Sequence, residues 1–375
     1  MDILNKEELG YIALFQSTIV LIGFLQTGII YGGYRLISFS PDRKENANNA
    51  VMTYLLSLFI VMGIGFAILS FLLPINWFWG AGILVGISSL WNNWITNLHV
   101  GLGRTKLLSA LMLASIMLSF LGIPVLYKFQ IVGAVLIIAI QPITFIVLSY
   151  IYNRDFKFKL TFRSIPYIRI CLKYGFVPFL TGILYYVNLQ FERWIIGLDL
   201  GVKALGEYFL VFVYCSLFLV IPSALATINF PKMMKLLRNT KVKGFSFIKV
   251  FKLYYIELGA YLILMFIATF WILPLIVEIL LPAHKGGIQY VKIVFWGLLP
   301  FTLVDPISIL INAKLHYKEL LYVYIFAVLI SSGSYAYLYF NHLGSLKSYS
   351  YVNVIFFSSV SVGYLVYFLT NGRRK

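Results

Sequence analysis

A few charged side chains lie inside long apolar stretches of this sequence. Glu192 and Arg193 are adjacent in one stretch, Asp305 lies within another and is followed by Pro306, and Glu257 lies near the start of a third. A charge in the middle of a membrane-spanning helix costs about 2.5–3.5 kcal/mol, so such residues usually face a cavity or a partner. We expect Asp305 and Glu257 to be candidate sites for a coupling ion or proton.

Amide side chains form a second set of buried polar groups. Asn92 and Asn97 lie at the end of the third apolar stretch, and Asn188 and Gln190 come just before Glu192. In lipid, Asn and Gln seek hydrogen-bond partners on other helices, which is their ordinary structural role. As a set they also suit a polar cavity that accepts sugar hydroxyls.

Arginine supplies the chemistry for a phosphate group. Arg35 ends the first apolar stretch, and a guanidinium binds phosphate through two parallel hydrogen bonds. The alternative for Arg35 is an anchor at the membrane surface. Since Arg193 is adjacent to Glu192, the two side chains do not face each other on a helix. The predicted substrate-binding residues are Arg35, Asn92, Asn97, Asn188, Gln190, Glu192 and Arg193.

Motifs for catalysis, cofactors and metals are missing from the sequence. It contains no G-x-x-x-x-G-K-[ST] loop and no H-E-x-x-H pair, and its 4 histidines have no ligand spacing. The 2 cysteines lie in apolar stretches, which is not the pattern of a disulfide framework. We therefore expect a protein that is not an enzyme and that has no cofactor or metal.

The composition determines which elements position these residues. Hydrophobic residues make up 61% of the 375 positions, charged residues only 11%, and the mean hydropathy is +0.89. These values exclude an ordinary soluble enzyme and a disordered protein, and they indicate an all-α polytopic membrane protein. Stretches long enough to cross a bilayer cover residues 10–33, 51–73, 77–97, 106–127, 130–152, 169–197, 205–230, 253–281, 289–313, 320–340 and 350–370.

Basic residues are distributed very unevenly between the two sides of these spans. One set of alternating loops carries 23 Lys and Arg, and the other set carries 6. Cytoplasmic loops are the positive ones, so the first set, with the C-terminus, is predicted to be cytoplasmic. The net charge of +17 is then explained by topology, and we expect no nucleic-acid partner.

One short pattern occurs twice along the chain. Leu9-Gly10-Tyr11 opens the first span, and Leu205-Gly206-Glu207-Tyr208 opens the seventh. Five spans precede the sixth, 169–197, and six make up the second half, which predicts two parallel repeats. We expect about 11 transmembrane helices in a 12-helix architecture that lacks its first helix; a native eleven-span protein is the alternative. The predicted parts are an N-terminal bundle at 1–152, a basic cytoplasmic linker at 153–168 and a C-terminal bundle at 169–375.

The sequence resembles polysaccharide-biosynthesis flippases of the O-antigen (Wzx) type, in the multidrug/oligosaccharidyl-lipid/polysaccharide (MOP) exporter superfamily. The resemblance covers nearly the whole chain through loose motifs. They are Leu9-Gly10-Tyr11 running to Arg35, Lys173-Tyr174-Gly175-Phe176-Val177-Pro178, Asn188 to Gly197, Ala204-Leu205-Gly206-Glu207-Tyr208 and Phe230-Pro231-Lys232. The family's usual Asp-Arg pair is replaced by Glu192-Arg193.

The resemblance implies a transporter that flips an undecaprenyl-pyrophosphate-linked oligosaccharide, an O-antigen or capsule repeat unit, across the bacterial inner (plasma) membrane by alternating access. It implies a role in lipopolysaccharide or other polysaccharide biosynthesis. The expected partners are this substrate, membrane lipids and polysaccharide polymerase machinery. Three alternatives remain open: a lipid II flippase, a drug or cation exporter of the same superfamily, and a membrane glycosyltransferase or polysaccharide polymerase. The short outer loops argue against the last.

Overall fold

The computed structural model describes residues 4–72, 77–152, 165–239, 251–313 and 316–373, and all its regular elements in those ranges are helices. Apolar runs of this length fold as helices because each backbone amide must find its partner within the segment. The helices are α1 (Lys6–Gly23), α2 (Ile29–Phe39), α3 (Lys44–Leu72), α4 (Trp77–Gly101), α5 (Thr105–Ser119), α6 (Ile123–Phe129), α7 (Ile131–Tyr152), α8 (Ile165–Asp199), α9 (Val202–Asn239), α10 (Lys252–Ile267), α11 (Leu273–Leu280), α12 (Ile288–Leu303), α13 (Asp305–Ala313), α14 (Tyr317–Phe340) and α15 (Leu346–Arg373).

The helices confirm a multi-pass membrane protein. Within the described ranges, 9 helices are long and apolar enough to cross a membrane, and a bent pair, Pro282–Leu303 with Asp305–Ile311, makes a tenth. The remaining predicted span, 77–97, lies in the continuous 25-residue helix α4, which contains Asn92 and Asn97 and falls outside that count. All eleven predicted spans are thus helical, and the predicted fold class is confirmed.

The first predicted span, 10–33, is wrong as a single helix. A short 3-10 turn at Phe24–Gln26 separates α1 from α2, and Thr27 and Gly28 adopt left-handed backbone angles, with φ of 49° and 93°. Gly28 also lies against α8, where an added methyl carbon would stand 2.6 Å from the Gly175 carbonyl oxygen. Glycine is required here both by the positive φ and by the close approach of the two backbones.

The ninth predicted span, 289–313, is bent at the position that Pro306 predicts. Helix α12 ends at Leu303, α13 begins at Asp305, and the two axes differ by 45°. Proline removes a backbone donor and clashes with the preceding turn, so it interrupts the helix at this point. The break places Asp305 at the first position of a new helix.

The chain divides into two compact units. An N-terminal unit comprises Tyr11–Ile183, and a C-terminal unit comprises Met1–Gly10 with Leu184–Lys375. The boundary between them falls inside α8. The predicted linker, 153–168, remains a prediction because residues 153–164 lie outside the described ranges.

The N-terminal unit has an apolar core built around the tryptophan of α4. Trp94 is fully buried among Ile30, Val51 and Cys171, which come from α2, α3 and α8. Its indole Nε1 donates a hydrogen bond of 3.0 Å to Asn48 Oδ1. The polar edge of the ring is therefore satisfied inside the core.

In the C-terminal unit, the two repeated Leu-Gly patterns meet. A methyl carbon added to Gly206 would lie 3.1 Å from the Gly10 nitrogen and would overlap the Lys6 carbonyl oxygen. Beside this crossing, Lys6 Nζ lies 3.1 Å from Glu207 Oε2. The two glycines allow α1 and α9 to approach at backbone distance, as small residues do in membrane helices.

Candidate functional site

Glu192 of α8 is at the centre of a buried polar cluster in the C-terminal unit. Its side chain is fully buried, and its Oε1 accepts two hydrogen bonds, one of 2.8 Å from the Tyr208 hydroxyl of α9 and one of 2.6 Å from Asn353 Nδ2 of α15. Three helices therefore contribute to one carboxylate. A buried carboxylate is stable only when it is hydrogen-bonded, paired or protonated.

The second oxygen of this carboxylate gives the cluster its chemistry. Within the described structure, Glu192 Oε2, Asn353 Oδ1 and Gln190 Oε1 are buried acceptors without a hydrogen-bond partner. Buried acceptors are usually satisfied by a protein group, a water or an ion. A proton on Glu192, or a small cation bound to its carboxylate, would compensate the buried charge.

Two predicted neighbours of Glu192 have different partners. Asn188 is buried, and its Oδ1 accepts a hydrogen bond of 2.5 Å from the Ser331 hydroxyl of α14. The Arg193 guanidinium lies 4.5 Å from the ring centre of Phe212 on α9, which is a cation–π contact. Glu192 and Arg193 thus turn to different contacts, as expected for adjacent positions on a helix.

Asp305 is the carboxylate of a second, separate contact in the same unit. The Tyr254 hydroxyl of α10 donates a hydrogen bond of 2.5 Å to Asp305 Oδ2. Asp305 is half-buried, unlike Glu192, and so is Glu257, one helical turn after Tyr254. This hydrogen bond joins the start of α13, at the bend, to α10.

The predicted site residues of the N-terminal unit make local contacts. Arg35 Nη1 donates a hydrogen bond of 3.2 Å to the Tyr174 carbonyl of α8. Asn97 Nδ2 donates to the carbonyl oxygen and the Oδ1 of Asn93, at 2.8 and 2.7 Å, and Asn92 Oδ1 accepts from Thr96 at 3.3 Å. These side chains are half-buried, so they remain accessible in part.

The structure adds partners to the predicted set. Three residues of the polar cluster are absent from the predicted site residues. They are Tyr208, Asn353 and Ser331. Tyr208 belongs to the repeated Leu-Gly pattern, and Asn353 is an amide inside the last apolar stretch, so both carried a signal. Within the described ranges, no three His, Cys, Asp or Glu side chains converge to hold a metal ion.

No protein-family profile and no curated protein matches the sequence. The structure matches an inward-facing multidrug resistance MATE family transporter of the MOP superfamily, with a TM-score of 0.67, 16% identity and coverage of 98% of this chain and 90% of the other. The chain shares the fold of MATE transporters.

Two further MATE or MOP structures give the same result. An outward-facing MATE family transporter matches with a TM-score of 0.56 and 16% identity, over 97% of this chain and 84% of the other. A MOP superfamily transporter from Pyrococcus furiosus, described as having a binding pocket of reverse polarity, matches at 0.59 and 16%, over 98% and 87%. At this identity the likeness to the MATE fold establishes architecture alone.

Proposed function

We propose that this protein is an ion-coupled transporter of the MOP superfamily that works by alternating access, with Glu192 as the coupling carboxylate. The observation that carries the proposal is the fully buried Glu192 with one satisfied and one unsatisfied oxygen. Solved proteins of the same fold have been described in inward-facing and outward-facing states, which supports the alternating-access part.

Physical chemistry connects this cluster with coupling. Charging a carboxylate in a membrane interior is costly, so Glu192 is stabilised by binding a proton or a small cation. Its partners Tyr208 and Asn353 come from helices different from its own. A relative movement of these helices would therefore change the affinity for the ion, which is how an ion gradient drives a conformational change.

The proposed substrate is a polyprenyl-pyrophosphate-linked oligosaccharide, such as an O-antigen or capsule repeat unit. Arg35 and Arg193 would neutralise the pyrophosphate, and the amides Asn92 and Asn97 would exchange hydrogen bonds with sugar hydroxyls in place of water. The protein would act in the bacterial inner membrane, among lipids and beside polysaccharide polymerase machinery. The sequence resemblance to Wzx-type flippases and the scarcity of acids in the N-terminal unit support this substrate.

A drug or cation exporter is the second candidate, because multidrug transporters share this fold. A cavity for cations favours acidic side chains, whereas the candidate substrate residues of the N-terminal unit are Arg35 and amides. A lipid II flippase would present similar chemistry. The oligosaccharide flippase, the drug or cation exporter and the lipid II flippase can be distinguished by which substrate competes for transport.

The test uses the full chain in liposomes that contain a fluorescent lipid-linked oligosaccharide, with the sugar exposed to a membrane-impermeant enzyme. With the protein present, we expect the fraction of glycolipid that is protected from the enzyme to fall over time. After Arg35→Ala, this fraction should fall at least several-fold more slowly. Arg43→Ala, at a neighbouring exposed arginine, is the matched control. Transport of a cationic dye with no movement of the glycolipid would favour the exporter, and competition by lipid II alone would favour the lipid II flippase.

A further inference from the structure

Five aromatic rings pack together in the C-terminal unit, and none of them has a role in the transport mechanism proposed above. This aromatic patch consists of Phe266, Phe270, Trp271, Phe295 and Trp296. The ring centres of Phe266 and Trp271 are 5.6 Å apart, and those of Phe270 and Trp296 are 6.1 Å apart. Phe295 is fully buried beneath them, whereas Trp271 and Trp296 are 57% and 54% exposed.

A π-helix shapes this patch. Residues Ala268–Ile272, between α10 and α11, form a π-helical turn. In a regular α-helix, five residues would rotate Trp271 about 140° away from Phe266. The wider turn instead brings both rings to one face, and such turns are rare and concentrate at functional sites.

The π-helical turn is held from the inside of the unit. Thr269 is fully buried, and its hydroxyl donates a hydrogen bond of 2.6 Å to the Met265 carbonyl. The Tyr214 hydroxyl of α9 lies 2.6 Å from the same Thr269 oxygen. These buried hydrogen bonds stabilise the turn, so the fold itself determines the position of Trp271.

A lysine lies at the edge of the aromatic patch. Lys292 of α12 is half-buried, and its ammonium nitrogen is 5.6 Å from the ring centre of Phe270. It lies one turn into the helix, about 6 Å from the helix start. A lysine near the end of a membrane helix usually extends toward the headgroups, where lipid phosphates lie. An anion would complete its environment.

The depth of the two tryptophans is also unusual. Exposed Trp residues normally lie at the headgroup level, where the indole N–H stays wet. Trp296 and Trp271 are eight and nine residues from the ends of α12 and α11, or about 12–14 Å along the helix axes. In a bilayer, exposed rings at this depth would face lipid chains rather than headgroups. The lipid-facing residues just before the turn, Ile263 and Leu264, are aliphatic.

We infer that the aromatic patch binds the isoprenoid chain of a phosphorylated polyprenyl lipid, with Lys292 contacting its phosphate. The inference rests on the proposed function, because the proposed substrate carries such a chain. Flat double bonds with methyl branches pack closely on aromatic faces, whereas saturated acyl chains gain no advantage there over aliphatic side chains. The ammonium at the edge matches the charge that this lipid carries.

The test is photo-crosslinking of the purified full chain in nanodiscs with a polyprenyl monophosphate that bears a diazirine in its chain. We expect labelled peptides from 263–272 and 292–296. Labelling should fall about fivefold when Trp271→Leu and Trp296→Leu are combined, which corresponds to about 1 kcal/mol of lost ring contacts. Lys292→Gln should lower it similarly, Lys292→Arg should preserve it, and the prenol without phosphate should label weakly.

Matched controls are available in the same chain. Trp77→Leu removes a tryptophan that is 52% exposed in the N-terminal unit, and Lys285→Gln removes a lysine paired with Glu278 at 2.6 Å. Neither should change the labelling. Labels spread evenly over all lipid-facing helices, or equal labelling by a phosphatidylglycerol with the same diazirine, would overturn the inference. Glu192→Gln should stop transport and leave labelling intact, so failure of the site and failure of the transport proposal are distinguishable.

Discussion

Both units of this protein are built from helices, but they differ in where their acidic residues lie. In the N-terminal unit the described acids, Asp42 and Glu45, lie at the ends of helices, and the buried polar side chains include the amide of Asn48. In the C-terminal unit Glu192 is fully buried and Asp305 lies at a helix break. This difference in the placement of acidic residues is the reason for proposing ion coupling in the C-terminal unit.

The largest expected effect comes from removing the charge of the buried cluster. Glu192→Gln keeps the shape of the side chain and cannot release a proton or bind a cation. Gradient-driven transport should fall on the order of 100-fold, since couplings between sites reach that size. The measurement is transport in liposomes with and without an imposed gradient, with the exposed Glu278→Gln as control. Full transport by Glu192→Gln would remove the assignment of ion chemistry to this cluster.

The next effect concerns stability in the N-terminal unit. Gly28→Ala places a side chain at a φ of 93° and against the Gly175 backbone, which should cost about 1–3 kcal/mol. Thermal unfolding in detergent should show the loss. Gly23→Ala is the matched control, because a methyl carbon there meets no atom within 4 Å. Equal melting temperatures for the two variants would contradict the close contact between α2 and α8.

A smaller effect is expected from the partners of Glu192. Asn353→Ala removes the donor at 2.6 Å, and hydrogen bonds to charged groups contribute about 1.5–3 kcal/mol. The ion concentration for half-maximal transport should change about tenfold. Because a donor stabilises the ionised carboxylate, a coupling proton should bind more tightly without Asn353, whereas a coupling cation that contacts Asn353 should bind more weakly. Ser361→Ala, on the same helix, is the control because that hydroxyl bonds the Phe357 carbonyl of its own helix. If the ion dependence of transport is unchanged in Asn353→Ala, this amide has no part in ion coupling.

The smallest effect separates the two carboxylates of the C-terminal unit. Tyr254→Phe removes the contact to Asp305, and a net loss of about 1 kcal/mol is typical of one hydrogen bond. We expect a fewfold slower transport with the ion dependence unchanged, because this contact fixes a helix bend. A shift in ion dependence as large as that of Asn353→Ala would move ion coupling to Asp305.

Local sequence features predict most of the fold. Apolar runs predict the helices, and Pro306 predicts the bend before α13. The break at residues 24–28 was not predicted, since the backbone angle of Gly28 is fixed together with its contact to Gly175, far along the chain. Such a contact has no local pattern.

The candidate site is predictable to a smaller extent. Glu192 stands out as a charge within an apolar stretch. Its partners Tyr208 and Asn353 are 16 and 161 positions away, so only the packing of three helices reveals them. The sequence places Glu192 among the predicted substrate-binding residues, whereas its complete burial is the basis for proposing it as the coupling carboxylate.

The most direct test of ion chemistry in the C-terminal unit is ion binding by the purified protein without substrate. Proton release and sodium binding should be measured by titration for the wild type, Glu192→Gln and Asp305→Asn. We predict one bound ion that disappears in Glu192→Gln and persists in Asp305→Asn. Ion binding that survives Glu192→Gln and is lost in Asp305→Asn would contradict the assignment.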